Sequence, residues 1–243
     1  MDLYPAIDIR GGQCVRLRQG NYADETVYAA DPVAMAVSFA DQGATWVHVV
    51  DLDAARSGDP VNRPIVAAIC AAVSGRANVQ TGGGVRTASD AEALARAGVS
   101  RVVMGTAAVQ KPELVTQAST VVDVAVGLDH RDGDIAVHGW TQGSGLLLTD
   151  ALGMYPTAAA FVITEIGRDG MLTGPDVEGL RAAVAATNIA IIASGGVSVL
   201  SDLGALGAIT ESGRRLAGVI AGKAIYEGRF TVEQGVAACA LLG

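Results

Sequence analysis

The sequence predicts a single α/β domain spanning residues 1–243, a (βα)8 barrel of the TIM type built from two duplicated (βα)4 half-barrels. Three observations predict it. Short apolar runs alternate with alanine-rich helical stretches from end to end, and each kind numbers eight. Four segments of the first half recur in the same order in the second, roughly 110–120 residues later. The length, 243 residues, suits a fold that typically needs ~250.

The elements follow in chain order. LYPAID (3–8) is the first strand, followed by a helix over 31–42, where Asp31-Pro32 sets an N-cap before a proline at the first helical position. WVHVVDL (46–52) leads to a helix over 61–73. ANVQTGG (77–83) leads to one over 87–97, with Ser89-Asp90 near its start. RVVMGT (101–106) leads to 111–118, where Lys111-Pro112 reads like the Asp31-Pro32 start. In the second half VAVGLD (124–129) leads to a helix at about 149–157, and AFVITEI (160–166) to 176–186. AIIASGG (190–196) leads to 198–207, with Ser201-Asp202 near its start, and GVIAGKA (218–224) to 230–241. Strand–helix alternation of this kind makes βαβ units and a parallel sheet. The recurring pairs are LYPAIDIRGG with VAVGLDHRDG, VVDLDAA with VITEIGRDG, TGGGV with ASGGV, and VVMGTAA with VIAGKAI.

Composition narrows the function classes. Half of the residues are hydrophobic but only 4% aromatic, so Val, Ile, Leu and Ala must build the core, as suits strands buried on both faces. A net charge of −8 with no basic run argues against nucleic acid as a partner, because phosphate neutralisation dominates that affinity. No apolar run reaches the ~18 residues of a membrane span, and MDLYPAIDIR does not read as a signal peptide. Cys14, Cys70 and Cys239 are odd in number and far apart, which fits a reducing cytoplasm rather than a disulfide framework. His48, His130 and His138 lack metal-ligand spacing, so no dedicated metal site is expected.

The residues that carry chemistry fall at the C-terminal ends of strands, where barrel active sites are built. Gly82-Gly83-Gly84 and Gly195-Gly196, the latter after Ser194, each follow a strand and precede a helix; Gly105-Thr106 and Gly222-Lys223 end the next strand of each half. Glycine lets backbone N–H groups approach a phosphate closely. Two matched pairs make two cradles, and two cradles imply a small substrate with a phosphate at each end. Asp8 and Asp129 end the first and fifth strands as duplication partners, and partial desolvation there raises a carboxyl toward a useful general base. Asp169 lies in the glycine-rich loop GRDGMLTGP, read as mobile enough to close, with Thr164 on the strand before it. Asp51 and Asp53 read as supporting residues, and His48 as a hydrogen-bonded core residue. Arg16 is placed to clamp an anionic group. Trp140 is placed to stack on substrate or close the site, with His138 as a loop contact.

These motifs, AID-x-R-x-G-x-CVRL-x-x-G, VHVVDLDAA, TGGGVR, VVMGTAA, VGLDHRDG-x-x-AVHGW, TEIGRDGMLTGP, IASGGVS and VIAGKAIYEGRFT, resemble the histidine-biosynthesis isomerases that act on ProFAR (phosphoribosyl-formimino-aminoimidazole carboxamide ribonucleotide) over nearly the whole chain. The resemblance implies an Amadori rearrangement of an aminoaldose to an aminoketose without cofactor or metal, in a monomer. It implies that Asp8 is the general base at C2 and Asp169 the acid at the ring oxygen. Asp129 and Thr164 then position sugar hydroxyls or assist proton transfer, and Arg16 and Trp140 contact substrate. The chain departs from the family in Glu165, where the family reads Asp, and in a shorter segment after Trp140, which predicts a stubby helix there. Bifunctional relatives, which also isomerise phosphoribosylanthranilate, resemble RGRGW where this chain reads VHGW. That departure favours the single-substrate enzyme. The sister cyclase carries Lys where this chain has Arg16, and a non-catalytic phosphosugar-binding barrel is the remaining alternative.

Overall fold

Eight parallel strands close on themselves in the computed structural model, which describes residues 1–18 and 20–241. Gln19, inside the CVRLRQG motif, lies outside the described residues. The strands are β1 (Asp2–Arg10), β2 (Gln13–Arg18), β3 (Asn21–Ala29), β4 (Trp46–Asp51), β5 (Asn78–Gly82), β6 (Arg101–Met104), β7 (Asp123–Arg131), β8 (Asp134–Val137), β9 (Gln142–Leu147), β10 (Ala160–Glu165), β11 (Ala190–Ser194), β12 (Thr210–Glu211), β13 (Arg214–Arg215) and β14 (Gly218–Ala221). The barrel runs β1, β4, β5, β6, β7, β10, β11, β14 and back to β1. The remaining strands form three antiparallel hairpin additions: β2–β3 on β1, β8–β9 on β7, and β12–β13 on its own.

The helices are α1 (Pro32–Asp41), α2 (Leu52–Ser57), α3 (Arg63–Val73), α4 (Ala88–Arg96), α5 (Thr106–Gln110), α6 (Glu113–Ala118), α7 (Leu148–Ala151), α8 (Val177–Ala186), α9 (Leu200–Gly207), α10 (Lys223–Tyr226) and α11 (Val232–Ala240). None is long and apolar enough to cross a membrane among the described residues. Asp31 caps α1 as expected, accepting the N–H groups of Val33 and Ala34. Lys111-Pro112 does not behave like Asp31-Pro32. Lys111 has no acceptor with which to cap, and as the residue before a proline it is held extended, so it ends α5 and splits the expected helix from α6. The expected helix over 149–157 shrinks to α7. Tyr155 takes up the room, 1% exposed and edge-on to Phe161 at 6.2 Å between ring centroids.

Side-chain alternation sorts each barrel strand into two faces. Outward residues such as Ile7, Val49, Leu128 and Ile163 pack under the helices in the main core. Inward residues fill the barrel: Tyr4, Ala6, Ala125, Ala160, Val162, Ile192 and Ile220 pack with Trp46 and Val103. Each large aliphatic buried this way contributes about 1.5–3 kcal/mol. Inward residues nearer the C-terminal ends face an open mouth instead of packed neighbours, and there the site forms.

Candidate active site

The two halves present carboxylates in the same way. β1 and β7 are nine residues each with the same burial pattern over the first eight, and Asp8 and Asp129 stand at the same step of each. In each half the hairpin after the strand returns a donor to that carboxylate. Arg16, on β2, donates from Nη1 to Asp8 Oδ2 at 2.8 Å and from Nη2 to the Ala6 carbonyl at 2.6 Å. Trp140, between β8 and β9, donates from Nε1 to Asp129 Oδ2 at 2.7 Å, and the Thr164 hydroxyl also bonds Asp129. Burial pushes both carboxyls above the usual range. Arg16 opposes this at Asp8; the Trp140 and Thr164 bonds oppose it at Asp129.

Asp169 faces the same cavity from the loop after β10. Burial pushes it up to about 6; Arg16 and Lys223 pull it down while Asp8 and Asp129 push it further up. Three carboxyls thus meet one cavity in three electrostatic settings: Asp8 paired with a cation, Asp129 with neutral donors, and Asp169 poised near neutrality.

The glycine turns line the two sides of this cavity, which measures about 590 Å³. Gly83, Gly84, Gly105 and Thr106 stand on one side, and Ser194, Gly195, Gly196, Gly222 and Lys223 on the other. Two of these glycines are required twice over. Gly83 at φ +93° and Gly196 at φ +85° are in the left-handed region, and a Cβ would collide with the carbonyl of Asp51 at the first and of Gly174 at the second.

Several expected contacts take a different form. Arg16 grips Asp8 instead of standing free for an anion, because β2 pairs antiparallel with β1 with Asp8 opposite Val15. The Thr106 oxygen accepts the His138 N–H at 2.9 Å, which leaves its own proton free to donate. Lys223 donates to the Gly170 carbonyl at 2.8 Å and so ties the Asp169 loop to the start of α10. His138 is exposed and lies 3.1 Å from Gln110 Nε2, on the cavity wall. Asp51 and Asp53 do support the fold. Asp51 caps α2, and both carboxylates accept from Asn62 at 2.8 Å. Glu165 accepts the N–H of Gly167 within its own loop.

Sequence reasoning missed Tyr22 and Arg86 in the cavity lining. Arg86 follows directly on the glycine turn, a signal that was present. Tyr22 sits on the unpredicted β3 and bonds the Leu52 carbonyl at 3.0 Å. His48 keeps the hydrogen bond expected of it, to Gln80 at 3.1 Å, yet also reaches the cavity floor.

A closed barrel of eight parallel strands, with half-buried carboxylates gathered at its C-terminal mouth, puts the chain among the (βα)8-barrel enzymes. Residues 2–231 match the model of a family described as histidine biosynthesis protein, and the chain belongs to that family. Its similar relatives share one name, 1-(5-phosphoribosyl)-5-((5-phosphoribosylamino)methylideneamino)imidazole-4-carboxamide isomerase. That of Shouchella clausii is 46% identical over 97% of this chain and 97% of its own length. That of Picosynechococcus is 46% identical over 98% and 93%, and that of a Bradyrhizobium strain 45% over 98% and 96%.

Proposed function

We propose that the chain is the aldose–ketose isomerase that converts ProFAR to its ribulosyl isomer in histidine biosynthesis. One observation carries this reading: Asp8 and Asp169 share a single cavity between two matched glycine turns. The family membership and the shared name of the relatives support it.

In this reading Asp169, protonated for a useful fraction of the time near pH 6, gives its proton to the ring oxygen as the ribose opens. Asp8, whose carboxylate form the Arg16 guanidinium favours against the effect of burial, takes the C2 proton. The resulting enaminol ketonises: C1 gains a proton and the C2 hydroxyl loses one, so the reaction is proton-neutral and both carboxyls return to their starting states. Asp129 and Thr164 hold sugar hydroxyls, and Trp140 and His138 contact the substrate body. Gly83, Gly84, Gly105 and Thr106 cradle one phosphate; Ser194, Gly195, Gly196, Gly222 and Lys223 cradle the other. The chain works as one domain, a monomer in the cytoplasm, without cofactor or metal.

The test is turnover of ProFAR and, separately, of phosphoribosylanthranilate, by the purified protein and by Asp8→Asn. Turnover of ProFAR alone, abolished by the substitution, is the expected result. Turnover of both substrates makes the enzyme bifunctional, and turnover of neither leaves a phosphosugar-binding barrel.

A further inference from the structure

One row of inward side chains below the carboxylates is polar in the first half only. Strand register sets Ala6 beside His48, His48 beside Gln80, and Gln80 beside Arg101, on β1, β4, β5 and β6. His48 is 8% exposed and Gln80 fully buried. The same steps of β10, β11 and β14 carry Val162, Ile192 and Gly218. An apolar row therefore fills the barrel adequately, and burying three polar side chains instead is a cost that packing does not require.

The row has only one consistent hydrogen-bond direction. Arg101 is a donor with no acceptor. Its Nη1 lies 3.3 Å from Gln80 Oε1, which fixes that amide with its oxygen toward Arg101 and its NH2 toward His48. Gln80 Nε2 then donates to His48 Nδ1 at 3.1 Å. Nδ1 accepts, so the imidazole proton sits on Nε2. Arg101 is itself fixed: its guanidinium lies 4.5 Å from the Trp46 ring centroid, and Nη1 also reaches the Tyr4 hydroxyl at 3.3 Å. Nε2 of His48 has no hydrogen-bond partner among the described residues, while the residue lines the cavity.

We propose that His48 is a neutral hydrogen-bond donor to the substrate, offering Nε2–H to a sugar oxygen beside the carbon that Asp8 deprotonates, with Gln80 and Arg101 as the positioning residues that fix its tautomer. The proposal rests on the isomerase reading above. Asp8 is one inward step above His48's neighbour Ala6 on the adjacent strand, so the two groups reach the same end of a bound sugar. Desolvation, and then the charge of Arg16, hold the imidazole near 3; no carboxylate in the row offsets them. The ring thus neither gains nor loses a proton across the working range. It acts by polarising an oxygen that turns from hydroxyl toward carbonyl, as an oxyanion-hole donor does.

Two measurements on the intact protein decide this. Nitrogen-15 NMR of the histidine rings, with and without ribose 5-phosphate as probe, is expected to show His48 as the Nε2–H tautomer, unchanged from pH 5 to 9, with Nε2 shifting when the probe binds. Gln80→Leu is expected to release that tautomer. Kinetically, His48→Leu is expected to lower kcat 10–100-fold with KM changed less than threefold and both limbs of the pH profile unmoved, and His48→Gln, which keeps an N–H, to recover part of the loss. An Nδ1–H tautomer, a titration near pH 6.5, no shift with the probe, or wild-type kcat in His48→Leu each overturns it. Absence of wild-type ProFAR turnover would sink the isomerase reading alone, since the NMR arm still decides His48.

Discussion

The two halves of the barrel share a backbone plan and differ in the donor that each turns toward its aspartate. Both carry a half-buried aspartate near the end of a nine-residue strand, and both return a hairpin donor to it. In the first half that donor is a cation, Arg16; in the second it is the uncharged indole of Trp140. A cation stabilises the ionised carboxylate far more than an indole N–H does. Duplication thus supplied two equivalent carboxylates, and the hairpins gave one a cationic partner and the other a neutral one. The row beneath them diverges too, polar in the first half and apolar in the second.

The comparison is broken most strongly by removing the carboxylates in turn. Asp8→Asn is expected to lower kcat about 10²–10⁴-fold, the span of a lost general base. Asp129→Asn keeps a hydrogen-bonding amide at Trp140 and Thr164 and is expected to lose roughly tenfold less. Equal losses in single-turnover assays would mean that the two halves share the base role.

The next effect separates the two cradles. A methyl at Gly222 collides with the Arg16 guanidinium, which is already bound to Asp8 and Ala6, whereas at Gly105 the nearest atom is the Gly127 carbonyl oxygen at 3.9 Å. Gly222→Ala is therefore expected to lower kcat about 10–100-fold by disturbing the Arg16–Asp8 pair, a cost of roughly 1.4–2.8 kcal/mol in the barrier. Gly105→Ala is expected to act chiefly on KM. Similar kcat values for the two variants would dissociate Gly222 from Arg16.

Asp169 sharpens the comparison through stability. Its carboxyl moves from 3.8 unfolded to about 6 folded. The folded state holds the proton more tightly, so its stabilising contribution is complete below pH 4 and is lost as pH rises through 6. The shift is worth about 3 kcal/mol at about 1.4 per unit, and about 1–2 kcal/mol once the residue's partial contact with solvent is allowed for. Asp169→Asn is expected to lose isomerase activity, and to melt roughly 3–6 °C higher than wild type at pH 7.5 and at the same temperature at pH 3.5. A lower melting temperature at pH 7.5 would show that the ionised carboxylate is well solvated.

The smallest effect concerns two helix starts at equivalent positions. Thr87 and Asp90 form a capping box on α4: the Thr87 oxygen accepts the Asp90 N–H at 3.1 Å, and Asp90 accepts the Thr87 N–H at 3.0 Å. On α9, Asp202 accepts from Val199 N–H at 3.0 Å, but Val199 has no side-chain oxygen to return, and the Asp202 N–H bonds the Val199 carbonyl at 3.0 Å instead. Thr87→Ala is expected to cost about 1 kcal/mol in denaturant unfolding, and Val199→Thr to gain about 0.5–1. An unchanged midpoint for the latter would show that the valine's packing already offsets the missing bond.

The barrel strands and longer helices were legible because each must bury an apolar face. The hairpins were not, because β3 and β9 are largely exposed and carry no alternating apolar signal. They are held by backbone pairing and by single anchors, such as Arg10 to Glu25 at 2.6 Å. The aspartates could be read from their places at strand ends. The role of Arg16 could not, because its grip on Asp8 follows from hairpin register. That His48 also reaches the cavity floor was not legible for a related reason: WVHVVDL is nearly all apolar, so its composition does not tell which alternate residues face the barrel interior.

The chain's two tryptophans sit at opposite ends of one barrel. Trp46 is stacked on Tyr4 at 5.3 Å between centroids, in the barrel floor, and Trp140 hangs at the mouth against Asp129 and Gly20. Fluorescence of this protein therefore carries two separable signals. Emission from Trp140 is open to quenching by iodide and shielded when a ligand fills the mouth, while emission from Trp46 changes only when the barrel itself comes apart.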